Sequence, residues 1–187
     1  MRGETMTITK ENNIEEQGLL FPELDPYKVK IKDVDFVDVS TIHDDEFQRK
    51  TTYTDLPPGK FFIFKSGGLN IYRPEMGDCF PYVHNKETGH IYNPKAGESW
   101  DYPAFSLNHK NINVYCPIHR LVGLAFLVNP DPKQFTIVDH INGDRYDWSL
   151  KNLRWNTRSG NGKNRKTNNG TNQFALFRSN FNKNDES

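Results

Sequence analysis

The sequence predicts an α+β protein in which a β-rich N-terminal region precedes a small module of two strands and a helix. Three observations predict this class. β-prone runs separated by turn residues occupy much of residues 21–117. Apolar residues then recur at helical spacing over 118–127. Finally, residues 135–168 follow the order of strand, turn, return strand and short helix.

The N-terminal half contains the predicted β-rich region. Residues 1–20 are polar and are expected to form a mobile tail. The alternation over residues 34–39 suits one half-buried strand. The runs 61–64 and 69–72 flank Gly67 and Gly68, and this pattern predicts a hairpin with a Gly-Gly turn. We place the β-rich region at residues 21–97, with target recognition as one possible role.

The C-terminal half contains the predicted module, at residues 98–168. A second hairpin is expected from 102–107 and 112–116, and a helix over 118–127 that Asn129 and Pro130 end. A strand at 135–138 runs into Asp139 and His140, and a return strand follows at 152–155. Thr157 is a suitable N-cap for a helix extending to about residue 166. Residues 169–187 are expected to be an irregular tail.

Composition excludes several classes of protein. No apolar run approaches the roughly 18 residues that a membrane span requires. Two cysteines without a C-x-x-C pair exclude a disulfide scaffold and a cysteine-based zinc finger. Because no apolar signal segment stands near the start, we expect a location inside the host cell, in the cytoplasm or nucleus.

Charge is distributed unevenly although the formal net charge is zero. Residues 1–50 carry 7 basic and 12 acidic side chains, whereas residues 118–168 carry 9 basic and 4 acidic ones. A local excess of basic charge is typical of a segment that binds a polyanion. It is equally typical of a solvated basic face, so charge alone leaves both interpretations open.

The last third of the chain brings together residue types that suit metal-assisted hydrolysis. Asp139 and His140 are adjacent, Asn152 follows in the return strand and Asn161 in the short helix. Carboxylate and amide oxygens are ligands that suit Mg²⁺ or Mn²⁺. Neighbours on a strand point to opposite faces, so we expect Asp139 and His140 to share a site through an irregular strand end. The imidazole would then accept a proton from water.

These residues stand in a recognisable motif. Residues 138–144 read Val-Asp-His-Ile-Asn-Gly-Asp, residues 152–157 read Asn-Leu-Arg-Trp-Asn-Thr, and Asn161 follows. Upstream, residues 118–126 contain His-Arg-Leu-Val. The pattern resembles the HNH endonucleases, above all the phage and viral intron-encoded homing type, over roughly residues 98–166. The resemblance implies a ββα-metal fold and hydrolysis of phosphodiester bonds in DNA.

The resemblance also implies a role for each residue that matches the motif. His140 resembles the general base, and Asp139 and Asn161 resemble the ligands of one divalent cation. Asn152 resembles the residue that bonds across the loop and orients His140. The last motif position is often His and is Asn here. Because an amide oxygen is a poor zinc ligand, we expect Mg²⁺ or Mn²⁺ rather than Zn²⁺ or Ni²⁺.

DNA is the expected partner, bound by a monomer or weak homodimer. The candidate phosphate contacts are the basic side chains of the module: Arg145, Lys151, Arg154, Arg158, Lys163, Arg165 and Lys166. Two alternatives remain open. The protein could bind DNA without cleaving it, using the hairpin as a scaffold, or it could act as an interaction protein through its acidic first 50 residues.

Overall fold

A four-stranded antiparallel sheet forms the N-terminal part of the molecule. The structure is a computed structural model that describes residues 29–46, 50–96 and 102–167, with side chains in the last helix as far as Asn164. The strands β1 (Phe36–Asp38), β2 (Phe61–Gly68), β3 (Phe80–Asn85) and β4 (Ile91–Tyr92) pair in sequence order. Along β2, Phe61 and Ile63 are buried whereas Phe62 and Phe64 are partly exposed, because successive side chains alternate between faces. The predicted tails, 1–20 and 169–187, lie outside the described residues.

The predicted hairpin at Gly67 and Gly68 is wrong. β2 continues through both glycines and pairs with β3, and the register shifts between Phe64 and Gly68. A Cβ on Gly68 would lie 2.6 Å from Cβ of Tyr82 and 2.8 Å from the carbonyl oxygen of Phe80. The glycines therefore allow an irregularity with close backbone approach, which is the other common role of glycine in a strand.

The second hairpin and the helix that follows it are confirmed. Strands β5 (Ala104–His109) and β6 (Ile112–Pro117) pair antiparallel, and α1 (Ile118–Phe126) begins directly after β6. Apolar side chains on one face of α1 are buried in the core. No helix in the described ranges is both long and apolar enough to cross a bilayer.

The last elements are a short hairpin and a helix. Strands β7 (Ile137–His140) and β8 (Leu153–Asn156) pair antiparallel, and α2 (Arg158–Thr167) follows. The predicted N-cap is confirmed, because the backbone N–H of Gly160 donates to Oγ1 of Thr157 at 3.0 Å. The mixed α+β class is confirmed. The domain limits remain predictions.

One cluster of buried side chains extends from Val39 to Leu153 and includes residues from both halves of the chain. Trp148, in the loop between β7 and β8, packs its ring 5.2 Å from that of Phe80 on β3. The side-chain amide of Asn70 is buried and donates to the carbonyl oxygen of Tyr146 in the same loop. The first sheet thus supports the loop that joins the last two strands.

Gly123 sets the distance between α1 and β7. A Cβ there would lie 2.5 Å from Cγ2 of Val138. Such a short distance is essentially never found between a real Cβ and a neighbouring atom. We therefore expect Gly123→Ala to lower the free energy of unfolding by about 1–3 kcal/mol, despite the better helix propensity of alanine. Urea titration followed by circular dichroism measures this.

Gly162→Ala is the matched control, because a Cβ at that helical position has open space around it. It should stabilise the protein by up to about 1 kcal/mol. Equal stability of Gly123→Ala and the native protein would show that the helix moves away at no cost.

Candidate active site

The hairpin β7–β8 carries Asp139 and His140 to opposite faces. Both residues lie in the regular part of β7, where Asp139 is opposite Arg154 and His140 is opposite Leu153. The expected irregular strand end is therefore wrong, because the ladder continues through His140. The Asp139 carboxylate contacts Asn164 of α2, and the His140 ring contacts His119 of α1.

The Asp139 carboxylate is the centre of a buried polar cluster. Its Oδ2 accepts hydrogen bonds from Arg154 (Nη2 at 3.0 Å and Nε at 3.3 Å), Asn156 (Nδ2 at 3.0 Å) and Asn164 (Nδ2 at 3.0 Å). Among the described residues, none donates to Oδ1. One carboxylate oxygen is thus saturated by N–H donors, and the other is available.

Two members of this cluster were missed by sequence reasoning. Asn156 pairs with Ile137 across the hairpin. Ile137 and Asp139 are two positions apart on β7 and share a face, so Asn156 lies on the same face as Asp139. Asn164 lies one helical turn beyond Asn161, and its amide also donates to the carbonyl oxygen of His140 at 2.8 Å. The spacing of three residues between Asn161 and Asn164 was the available signal.

Asn161 is half-buried on α2. Its backbone N–H donates to the carbonyl oxygen of Thr157 at 2.9 Å. Within the described part of the chain its side chain makes no hydrogen bond that would fix the amide. Its role as a metal ligand therefore remains a prediction, and the helical residue seen against Asp139 is Asn164.

His140 lies in an aromatic pocket on the other face. Its ring stacks on that of Tyr102 at 5.9 Å and lies 5.0 Å from the His119 ring. Burial lowers the pKa of His140 to about 4, although Asp139 and Asp147 act in the opposite direction. The pKa of His119 is also well below its usual value, first through burial and then through the neighbouring His140. Both rings are therefore neutral near pH 7.

The Nε2 atom of His140 is buried and has no hydrogen-bond partner within the described residues. Leaving a buried polar atom unpaired costs about 1–3 kcal/mol. Such a cost is common where a side chain serves a purpose other than stability. The neutral ring and its unpaired nitrogen are consistent with a group that exchanges a proton.

Asn152 bridges the loop between β7 and β8. Its Oδ1 accepts from the backbone N–H of Asn142 at 3.1 Å, and its Nδ2 donates to the carbonyl oxygen of Asp147 at 2.7 Å. The backbone N–H of Ile141, next to His140, donates to the carbonyl oxygen of Asn152 at 2.8 Å. The residue thus fastens the chain immediately after His140.

We expect Asn152→Ala to lower the free energy of unfolding by about 1–3 kcal/mol, because it leaves two loop groups unpaired. Chemical denaturation gives this value. Asn152→Asp is the matched control, since its carboxylate retains the acceptor for Asn142 and loses only the donor. If neither Asn152→Ala nor Asn152→Asp changed the free energy of unfolding, the Asn152 bridge would contribute nothing to the stability of the loop.

The candidate DNA contacts fall into different environments. Lys151 and Lys163 are exposed, as is Arg158, whose Nη2 donates to Oε2 of Glu46 at 3.0 Å. The guanidinium of Arg145 lies 4.9 Å from the centre of the Tyr102 ring, beside the His140 pocket. The side chains of Arg165 and Lys166 lie outside the described residues.

Arg154, one of the candidate phosphate contacts, is buried in this structure. It is 8% exposed and forms an ion pair with Asp139. The reason is the strand register, which places the two residues directly opposite each other. Its positive charge is therefore directed at the carboxylate in this structure.

The donor chemistry fits a hard cation. No three His, Cys, Asp or Glu side chains gather into a metal site in the described ranges. A site at Asp139 would therefore need amide or water oxygens beside the carboxylate, and such a set suits Mg²⁺ or Mn²⁺ better than Zn²⁺. Asp139 with Asn161 as its second ligand stays the predicted set.

Comparisons with known proteins agree on the C-terminal segment. A family model described as HNH endonuclease matches residues 116–163. An uncharacterized HNH endonuclease of Acanthamoeba polyphaga mimivirus is 52% identical over 44 residues, which are 24% of this chain. The match covers 11% of that viral protein, so this chain spans about a tenth of its length. No solved structure matches.

Proposed function

We propose that the protein hydrolyses phosphodiester bonds in DNA with the help of one divalent cation, because a family model described as HNH endonuclease matches residues 116–163. The observation that carries the proposal is the hairpin β7–β8, in which a buried carboxylate and a neutral imidazole occupy neighbouring positions on opposite faces of one strand. Asp139 is close enough to influence the pKa of His140.

In the proposed reaction, His140 accepts a proton from the water that attacks the phosphorus. Its ring is neutral near pH 7 because burial lowers its pKa. The ring is restricted by contacts with His119 of α1 and with Tyr102, which precedes β5. Asn152 fastens the loop that follows. A positioned base of this kind typically contributes about 10²–10⁴-fold to the rate.

Asp139 and Asn161 are the residues we propose to hold the cation. When bound, Mg²⁺ or Mn²⁺ would offset negative charge on the phosphoryl and leaving oxygens. Asn156 and Asn164 keep the carboxylate in one orientation, since both donate to its Oδ2. The proposal covers Mg²⁺ and Mn²⁺ alike.

The exposed lysines Lys151 and Lys163, with Arg145 beside the His140 pocket, are the proposed phosphate contacts. Such contacts give affinity that depends on salt and not on sequence. A homing or mobile-element role inside a host cell is also proposed, from the motif alone. One module carries one site, so a monomer would nick one strand. A double-strand cut would need a dimer or two successive cleavage events.

A supercoiled plasmid tests the proposal. Incubation with the full chain and Mg²⁺ or Mn²⁺ should convert supercoiled plasmid to the nicked form, and EDTA should prevent the conversion. Absence of nicking by folded protein across both ions and a range of DNA sequences would contradict the proposed activity.

A DNA-binding protein without activity is the second candidate. The ion pair of Asp139 with Arg154 favours it, because the guanidinium already compensates the carboxylate that should hold the cation. In that case the same protein would retard DNA in a gel and leave it intact with either ion. The acidic-surface alternative is less favoured, because Asp44 and Glu46 are paired within the molecule with Arg120 and Arg158.

A further inference from the structure

The strongest unexplained contact near the proposed metal position is the ion pair between Arg154 and Asp139. Both side chains are buried, with 9% of the Arg154 side chain and 8% of the Asp139 side chain exposed. Nη2 of Arg154 lies 3.0 Å from Oδ2 of Asp139. A second donor, Nε, lies 3.3 Å from the same oxygen. The pair is a direct cross-strand pair of β8 and β7, so the backbone keeps the two side chains together.

A buried carboxylate needs a compensating charge. Removal of one partner from a buried ion pair is destabilising by about 3–5 kcal/mol, because the other charge is left uncompensated. In this site the guanidinium supplies the compensation in the absence of a cation. A divalent cation on the same carboxylate would then be a second positive charge within a few ångströms of Arg154, and like charges at that distance repel.

Asn156 and Asn164 make the contact more informative. Both amides donate to Oδ2 at 3.0 Å, so the orientation of the carboxylate does not depend on Arg154 alone. A purely structural bridge could use another neutral donor here. The positive charge is the feature that the two amides do not supply, and it is the feature that competes with a cation.

We propose that Arg154 is a positioning residue that acts as the internal counter-ion of Asp139 and lowers the affinity of the site for its divalent cation. This inference rests on the proposed function, since it requires a cation at Asp139. Binding of the cation weakens or breaks the contact of Arg154 with Oδ2. The affinity for metal is thus set by a competition between a dication and a guanidinium.

Direct titration of Mn²⁺ tests the proposal without DNA. Electron paramagnetic resonance of free Mn²⁺ gives the dissociation constant for the full chain. Arg154→Met removes the charge and keeps much of the apolar volume, and it should tighten binding by at least about tenfold. Arg154→Lys keeps the charge and should bind close to the native value. A purely structural role would predict weaker or unchanged binding in the methionine variant.

Two further variants locate the effect. Arg73→Met removes the arginine from another ion pair, with Asp144 at 2.8 Å, and should leave Mn²⁺ affinity unchanged. Asp139→Asn should abolish the binding that Arg154→Met strengthens. Equal or weaker binding by Arg154→Met would overturn the proposal while leaving a metal site in place. Failure of the native chain and all variants to bind Mn²⁺ would overturn the proposed metal dependence as well.

The native protein provides a test that does not depend on the folding of a variant. The Nε–H group of Arg154 can be followed by ¹H–¹⁵N NMR, with the spectrum of Arg154→Lys for assignment. Saturation with Mg²⁺ should shift this resonance and increase its exchange with water, because the bond to Oδ2 is released. An unchanged resonance in the metal-saturated protein would overturn the proposal.

Discussion

Asp139→Asn is expected to reduce metal-dependent cleavage by about three orders of magnitude, because the variant lacks the proposed anionic ligand of a cation that would contribute several kcal/mol to the reaction. The amide keeps the size of the side chain and an acceptor for Asn156 and Asn164. Single-turnover nicking of supercoiled plasmid at saturating Mg²⁺ measures the loss.

Folding must be separated from chemistry in this variant. The substitution leaves Arg154 without its carboxylate, which should lower the free energy of unfolding by about 3–5 kcal/mol. Rates are therefore compared at a temperature where circular dichroism shows the variant folded. The native protein in EDTA should fall to the same residual rate. Cleavage within tenfold of the native rate would remove Asp139 from the proposed metal site.

His140→Ala is expected to lower the single-turnover rate by about 10²–10⁴-fold, which is the usual contribution of a positioned general base. The affinity for DNA should stay near the native value, because His140 is only 4% exposed and contributes little surface for DNA to contact. The affinity for Mn²⁺ should also be retained, since Asp139 lies on the opposite face of the strand. The rate and both affinities are measured on the same preparation.

His109→Ala is the matched control for this prediction. The residue ends β5 and lies outside the site, so its removal should change neither rate nor affinity. A loss in His140→Ala that appeared only as weaker DNA binding would contradict a role in proton transfer. Equal rates for the two variants would do the same.

Sequence patterns located the hairpin and α2 because their signals are local. The strand at 135–138, the return strand at 152–155 and the N-cap at Thr157 are each indicated by residues a few positions apart. The position of Arg154 depended instead on the pairing register, which is set by contacts between separate segments. The same applies to Gly68, which pairs with Phe80 of β3. A local pattern of residues around the glycine does not predict that pairing.

The set of site residues stays a prediction, and their arrangement could not be predicted from the sequence. Asp139, His140, Asn152 and Asn161 were chosen from spacing, and the structure places Asp139, His140 and Asn152 in one hairpin. The helix amide that contacts Asp139 belongs to Asn164, because the packing of α2 against the hairpin decides which of its turns lies next to the carboxylate. A sequence pattern does not fix that packing.

The support that the first sheet gives to the β7–β8 loop affects how the segment matched by the family model can be used. Asn70, Tyr72 and Phe80 contact Tyr146 and Trp148, and all three precede the segment that resembles other nucleases. A fragment beginning near residue 98 would expose the Trp148 indole, and would leave the carbonyl oxygen of Tyr146 without its donor. Transplanting the proposed nuclease segment into an engineered fusion would therefore require the first sheet to be included with it.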